Sequence, residues 1–217
     1  MRGCKQVYRW TGLMLLAAVA VTAGCRSKRP TDIADVLSGE ELTKAISPSN
    51  YRAWIPAQAV LPTAELRGDV LTVRNVRNCQ YLSADDYVVR YYDRSFDLRR
   101  LKTVDFITVP FQDTPTLAHT MLSFGFDDQE FLAVSVEARY EQGETYSPLK
   151  GALRQYELIY VLADERDVVG LRAKHRKDDV YLYRTRATPE LARALLLDVL
   201  ARVNKLAAQP EFYDAMS

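Results

Sequence analysis

Histidine and cysteine are scarce in this chain, with two of the first and three of the second in 217 residues. Cys4 and Cys25 lie near the N-terminus, so Cys79 stands alone in the rest of the sequence. With Cys4 and Cys25 assigned to the N-terminal segment, Cys79 alone leaves no internal disulfide, and two isolated histidines with it give no zinc-ligand spacing. No metal or other cofactor is therefore expected. An excess of one charge is lacking too. Lys and Arg number 29 against 28 Asp and Glu, a net charge of +1, and no basic stripe interleaved with aromatics stands out, so nucleic acid is not an expected partner. No repeat of solenoid-like period is visible. An apolar content of 48% with 26% charged residues is that of a folded protein rather than a disordered one.

The apolar run that is present lies at the start. Arg2, Lys5 and Arg9 form a basic region, Leu13 to Val21 an apolar one, and the small residues Thr22, Ala23 and Gly24 precede Cys25. A bilayer-spanning helix needs about 20 apolar residues. This run is too short, which makes residues 1–24 a signal peptide. The end of the segment resembles a bacterial lipobox, although Thr22 stands where leucine is commonest. That resemblance implies a lipoprotein whose Cys25 carries lipid, palmitate among its acyl chains, and becomes the first mature residue. Arg26 in place of a sorting aspartate implies the outer membrane. Ordinary secretion with cleavage nearby is the alternative. Residues 25–50 then form a tether and lead-in, with a short amphipathic helix over Thr31 to Ile46, and residues 51–217 form one domain.

That domain reads as α+β, an antiparallel sheet with packed helices. Tyr51 to Pro62 is irregular around Trp54, Glu65 to Gly68 is a turn, and Val70 to Val76 is a strand. Tyr87 to Tyr92 is extended, Ser95 to Lys102 a turn or short helix, and Val104 to Phe111 a strand whose Pro110 marks an end or an edge. Gln155 to Leu162 and Val180 to Thr185 are further strands. Asp164 caps a helix from Glu165 to about His175, where His175 is a solvated surface residue. Thr188 and Pro189 open the clearest helix, with Leu191, Leu195, Val199, Val203 and Leu206 on its apolar face.

The most informative stretch is Ala118 to Phe126, AHTMLSFGF. Leu122, Phe124 and Phe126 share one parity; His119, Met121, Ser123 and Gly125 share the other. On a strand these are two faces, an apolar one and a more polar one. Phe131 to Tyr140 alternates in the same way. Keeping both apolar sets on one side pairs even residues with even ones, through the three-residue loop Asp127-Asp128-Gln129. Phe126 then faces Glu130, Leu122 faces Val134, and His119 faces Glu137. A carboxylate opposite an imidazole orients it and raises its basicity, the role of a triad's third member. The alternative is a hydrogen-bonded histidine with a surface ion pair worth under about 1 kcal/mol. Ser135 joins Glu137 as a candidate support by the same pairing. Ser123 as nucleophile is disfavoured, because two residues along one strand leave it roughly 7 Å from His119.

Several runs taken in order resemble the Lnb N-terminal periplasmic domain family: NVRNCQY from Asn75, FDLRRL from Phe96, AHTMLSFGF, SVEARYE from Ser135, YELIYVLADERDVVGLR from Tyr156, VYLYR from Val180 and PEFYD from Pro210. The resemblance runs from about Tyr51 to the C-terminus. It implies a permuted papain-like, NlpC-type architecture and a thiol acyltransferase or hydrolase acting on lipoprotein acyl chains, with His119 as general base. In the family, a segment like PEFYD is followed by an Asn-Cys-Thr type run carrying the nucleophile. This chain reaches Ser217 before such a run, and Cys79 falls in an early block where the family places no nucleophile. The expectation is therefore a truncated enzyme or a non-catalytic member. The alternative reading is a lipid-anchored binding or scaffolding module of the cell envelope.

Overall fold

In the computed structural model, residues 47–214 are described, apart from 113, 128, 148, 149 and 152. The signal peptide, Cys25 and the helix expected over Thr31 to Ile46 lie outside the described residues. Runs rich in β-branched and aromatic residues become strands β1 (Thr63–Arg67), β2 (Val70–Arg77), β3 (Gln80–Tyr81), β4 (Tyr87–Val88), β5 (Tyr91–Asp97), β6 (Leu101–Phe111), β7 (Thr114–Phe126), β8 (Glu130–Arg139), β9 (Glu157–Ala163) and β10 (Tyr181–Arg184). Among the described residues the α-helices α1 (Glu165–Gly170) and α2 (Pro189–Ala208) accompany them. The main sheet runs β1-β2-β9-β8-β7-β6-β10, with β5 added to β2. Its ladders are antiparallel except where Arg77 of β2 meets Ala163 of β9 in parallel. The domain is therefore α+β with a mostly antiparallel, mixed sheet.

Long-range pairing lengthens what local pattern suggested. Glu65 to Arg67 belong to β1, and the turn is Gly68-Asp69, with Gly68 at φ +61°. Ser95 to Asp97 close β5 before a 3₁₀ turn, Leu98–Arg100, capped by the Asp97 side chain. β6 begins at Leu101, because Leu101 pairs with Phe126 across the sheet. β10 pairs with β6 only as far as Thr108, so Pro110 lies past it at the sheet margin, where a missing N–H is tolerated. The segment around Trp54 is irregular, as expected. The indole is buried beneath the Arg139 guanidinium, 4.1 Å from its ring centre, and its N–H donates to Asn50 O at 2.9 Å.

The β7–β8 hairpin has the expected register, Phe126 opposite Glu130 and Leu122 opposite Val134. The ladder ends, however, at Met121 opposite Ser135. His119 and Glu137 are not a ladder pair; β8 continues instead against β9, where Glu137 faces Ile159. Both faces of this hairpin are covered. Phe124, Phe126, Leu132 and Val134 pack under Ala192, Leu196, Leu200 and Val203 of α2. On the other face Met121 and Ala133 pack with Ile107, Ile159, Val161 and Val168 of α1. The face expected to be polar is thus a second core, with Met121 only 2% exposed. Ser123 is fully buried there because its hydroxyl donates to Glu165 Oε1 at 2.6 Å.

Both helices depart in detail from the pattern reading. α2 starts as expected, Thr188 Oγ1 accepting from Leu191 N, with Pro189 in its first turn. Its buried stripe is Ala192, Leu196, Leu200, Val203 and Leu206, while Leu191 is 59% exposed. Two adjacent apolar rows wind down this helix, and the sheet selects the one beginning at Ala192. The helix expected from Glu165 to His175 changes character after Gly170. Leu171–Arg176 form a π-helical turn that ends at Lys177, whose φ is +61°. Asp164 stands at the N-cap without capping; its carboxylate accepts from Tyr92 Oη at 2.6 Å. After α2 the chain returns along β9: Leu158 N donates to Glu211 O and Tyr213 N to Tyr156 O, both at 2.8 Å.

Candidate active site

Where the β7–β8 ladder stops, the two strands carry His119 on one side and Ser135 and Glu137, two residues apart and so on the same face, on the other. His119 Nε2 lies 2.8 Å from Ser135 Oγ, and that hydroxyl lies 2.8 Å from Glu137 Oε1. The three candidate residues are brought together, with Ser135 between the other two rather than Glu137 directly on the imidazole. Arg172, on the π-helical turn, places Nη2 2.8 Å from His119 Nε2 and 3.2 Å from Glu137 Oε1. Gln58 Nε2 donates to Glu137 Oε2 at 3.1 Å, and Arg77 Nη1 stands 4.0 Å from the same oxygen.

The electrostatics follow from burial and these cations. Burial pushes His119 down to about 4, and the adjacent Arg172 charge pushes the same way, with Glu137 only partly opposing them. The ring is neutral at neutral pH. Burial works against ionising Glu137, but Arg77, Arg172 and the Ser135 hydrogen bond outweigh it and hold the carboxyl well below its usual range. Among the described residues His119 Nδ1 makes no hydrogen bond, so it is the nitrogen left for a reacting group.

Behind Glu137 lies a second buried pair. Arg77 Nε is 3.1 Å from both Asp167 carboxylate oxygens and Nη2 is 2.7 Å from Oδ1, a forked contact tying β2 to α1. Asp167 Oδ2 also accepts from Cys79 N at 2.7 Å. Cys79 is 2% exposed, and burial first, then the Asp167 carboxylate, push its thiol up, with Arg77 offsetting part of this. A buried protonated thiol is a poor nucleophile. Cys79 lines neither of the clefts around His119.

Two clefts meet at the histidine. One, of about 580 Å³, lies on the α1 side and is lined by Gln58, Arg77, Glu137, Tyr140 and Arg172 among others. The other, of about 700 Å³, lies on the α2 side against Thr120, Leu158, Tyr160, Arg202 and Phe212. His119, Val136 and Tyr213 line both. Arg172, Arg77, Gln58 and Tyr213 were not singled out by pattern, because nothing local marks an arginine in a helix or a tail tyrosine. His175 is half-buried rather than solvated, its ring 5.8 Å from that of Tyr81.

The molecule is thus an α+β domain in which a histidine, a serine and a glutamate converge at the splayed end of a hairpin. The chain matches the model of the Lnb N-terminal periplasmic domain family over residues 87–217, more than half of its length, and belongs to that family. Strands β1 and β2 precede the matched span yet share its sheet. The family is one of periplasmic domains, which fits an envelope, periplasm-facing location. No helix among the described residues is long and apolar enough to cross a membrane. No curated protein and no solved structure matches the chain.

Proposed function

We propose that the protein is a lipid-anchored envelope protein, attached to the outer membrane through Cys25, whose domain carries the base half of a thiol acyl-transfer site. The observation that carries this reading is the chain His119 Nε2–Ser135 Oγ–Glu137 Oε1 at the junction of two clefts. A histidine-bearing strand that precedes a helix and a returning tail supports the permuted papain-like architecture. In the reaction, a thiol gives its proton to His119 Nδ1 and its sulfur attacks the ester carbonyl of an acyl chain on a lipoprotein glyceride. The alcohol leaves with that proton, and an amine or water then takes the acyl group from sulfur. Ser135 and Glu137 orient the ring and carry the compensating hydrogen bond.

The 217-residue sequence contains no cysteine after Cys79. Cys79 is buried, protonated and outside both clefts. That burial favours a second reading, a binding module that uses the clefts without covalent chemistry. Both are tested by incubating the purified protein with a diacylglyceryl lipopeptide and following binding by gel filtration and acyl migration by mass spectrometry. The expected result is a bound lipopeptide with its acyl chains where they began. Failure to bind would sink the acyl-site reading, and transfer abolished by alkylation would make Cys79 the nucleophile.

A further inference from the structure

His119 Nε2 faces one obligate donor, the Arg172 guanidinium, and one hydroxyl, Ser135, whose proton goes to Glu137. Nε2 is 2.8 Å from Arg172 Nη2 and 2.8 Å from Ser135 Oγ. A guanidinium keeps its protons at any biological pH, and each of its nitrogens only donates. Nε2 must therefore offer its lone pair, and the neutral ring carries its one N–H on Nδ1. A base that meets its thiol through Nδ1 needs the opposite tautomer. Acceptors for that tautomer stand in line: Nε2–H to Ser135 Oγ, then the Ser135 hydroxyl to Glu137 Oε1 at 2.8 Å. Arg172 excludes it, since two donors do not face each other at hydrogen-bond distance.

We propose that Arg172 is a positioning residue that holds His119 in the Nδ1–H tautomer, and that the base becomes competent when the guanidinium leaves Nε2. The proposal deepens the reading of His119 as a base and rests on it for its consequence. The change moves one proton from Nδ1 to Nε2 by way of water, so the ring's charge is the same before and after. Arg172 is placed to make the move. It is 6% exposed, and Nη1 donates to Val168 O at 2.9 Å while Nη2 also reaches Glu137. Those two contacts hold the side chain when Nε2 is released. It sits on a π-helical turn, a backbone form frequent at functional sites. It also lines the cleft on the α1 side, so a carbonyl or anionic oxygen entering there competes with the imidazole for the same N–H.

The test reads the ring directly, independently of any activity. Two-bond proton–nitrogen correlation spectra of histidine-labelled protein distinguish the tautomers, and the chain has only two histidines to assign. The expected result is Nδ1–H for His119 in the wild type and in Ser135→Ala, and Nε2–H in Arg172→Met. A wild-type ring protonated at Nε2 would overturn the proposal, as would Arg172→Met that leaves the tautomer unchanged or Ser135→Ala that switches it. Should Arg172→Met fail to fold, the wild-type and Ser135→Ala spectra still decide. A purely structural Arg172 would alter the melting temperature and not the tautomer. If acyl chemistry at His119 failed while these spectra came out as expected, the base reading alone would fall.

Discussion

At the scale of single residues, His119 behaves as a neutral, half-buried imidazole, and this makes stability depend on pH. Its ordinary value of about 6.5 applies to the unfolded chain and about 4 to the folded one. Between those limits the unfolded chain binds the extra proton, so the stabilisation is present above pH 6.5 and is lost as pH falls towards 4. The loss is on the order of 3 kcal/mol. Urea midpoints measured from pH 7 to pH 4 should fall steeply in the wild type and distinctly less in His119→Asn; parallel curves would contradict the assignment. Glu137 is the other centre of charge. Replacing it with Gln leaves Arg77 and Arg172 without their shared carboxylate, and the expected destabilisation is about 3–5 kcal/mol by urea unfolding. A loss under about 1 kcal/mol would mean that the cluster is solvated. The parity of two strands made Ser135 and Glu137 legible before any coordinates. Arg172 was not legible, because its approach to His119 depends on how α1 and the π-helical turn cross the sheet.

At the scale of elements, the β7–β8 hairpin was readable because alternation and loop length jointly determine register. Where that register would end was not readable, since β8 leaves β7 to keep its ladder with β9. The polar appearance of His119, Met121, Ser123 and Gly125 was misleading for a related reason: α1 covers that face, and a serine there is satisfied by Glu165. Gly125 belongs to the same face. A Cβ at Gly125 would collide with Thr103 Oγ1 and lie 3.2 Å from the Phe131 ring. Gly125→Ala should cost about 1–3 kcal/mol, and most of that should return in the double variant with Thr103→Ala. No recovery would place the clash elsewhere. In α2, two adjacent apolar rows left the buried one ambiguous. Leu200→Ala should cost about 2–5 kcal/mol and Leu191→Ala well under 1 kcal/mol; equal thermal shifts would contradict the stripe.

At the scale of the whole molecule, the sheet is a two-sided partition between α1 and α2, and its splayed end is where both sides open on one histidine. The pinned tail, through Tyr213, completes the wall of both clefts. Family membership was legible because six ordered blocks within the matched span carry it, most of them segments of the main sheet, while NVRNCQY from Asn75 lies before that span. The proposed attachment to the membrane through Cys25 belongs to a part of the chain outside the described residues. On the proposed function, Cys25→Ala should move the protein from the membrane fraction to the soluble periplasmic extract, and retention in the membrane would argue against the lipid anchor.

On the proposed function, the clefts that meet at His119 receive an acylated substrate. Histidine-labelled protein titrated with a diacylglyceryl lipopeptide tests it most directly. Progressive, saturable shifts of the His119 ring resonances are expected, weakened by Val136→Glu in the wall shared by both clefts. Binding that leaves the His119 ring unmoved would contradict it.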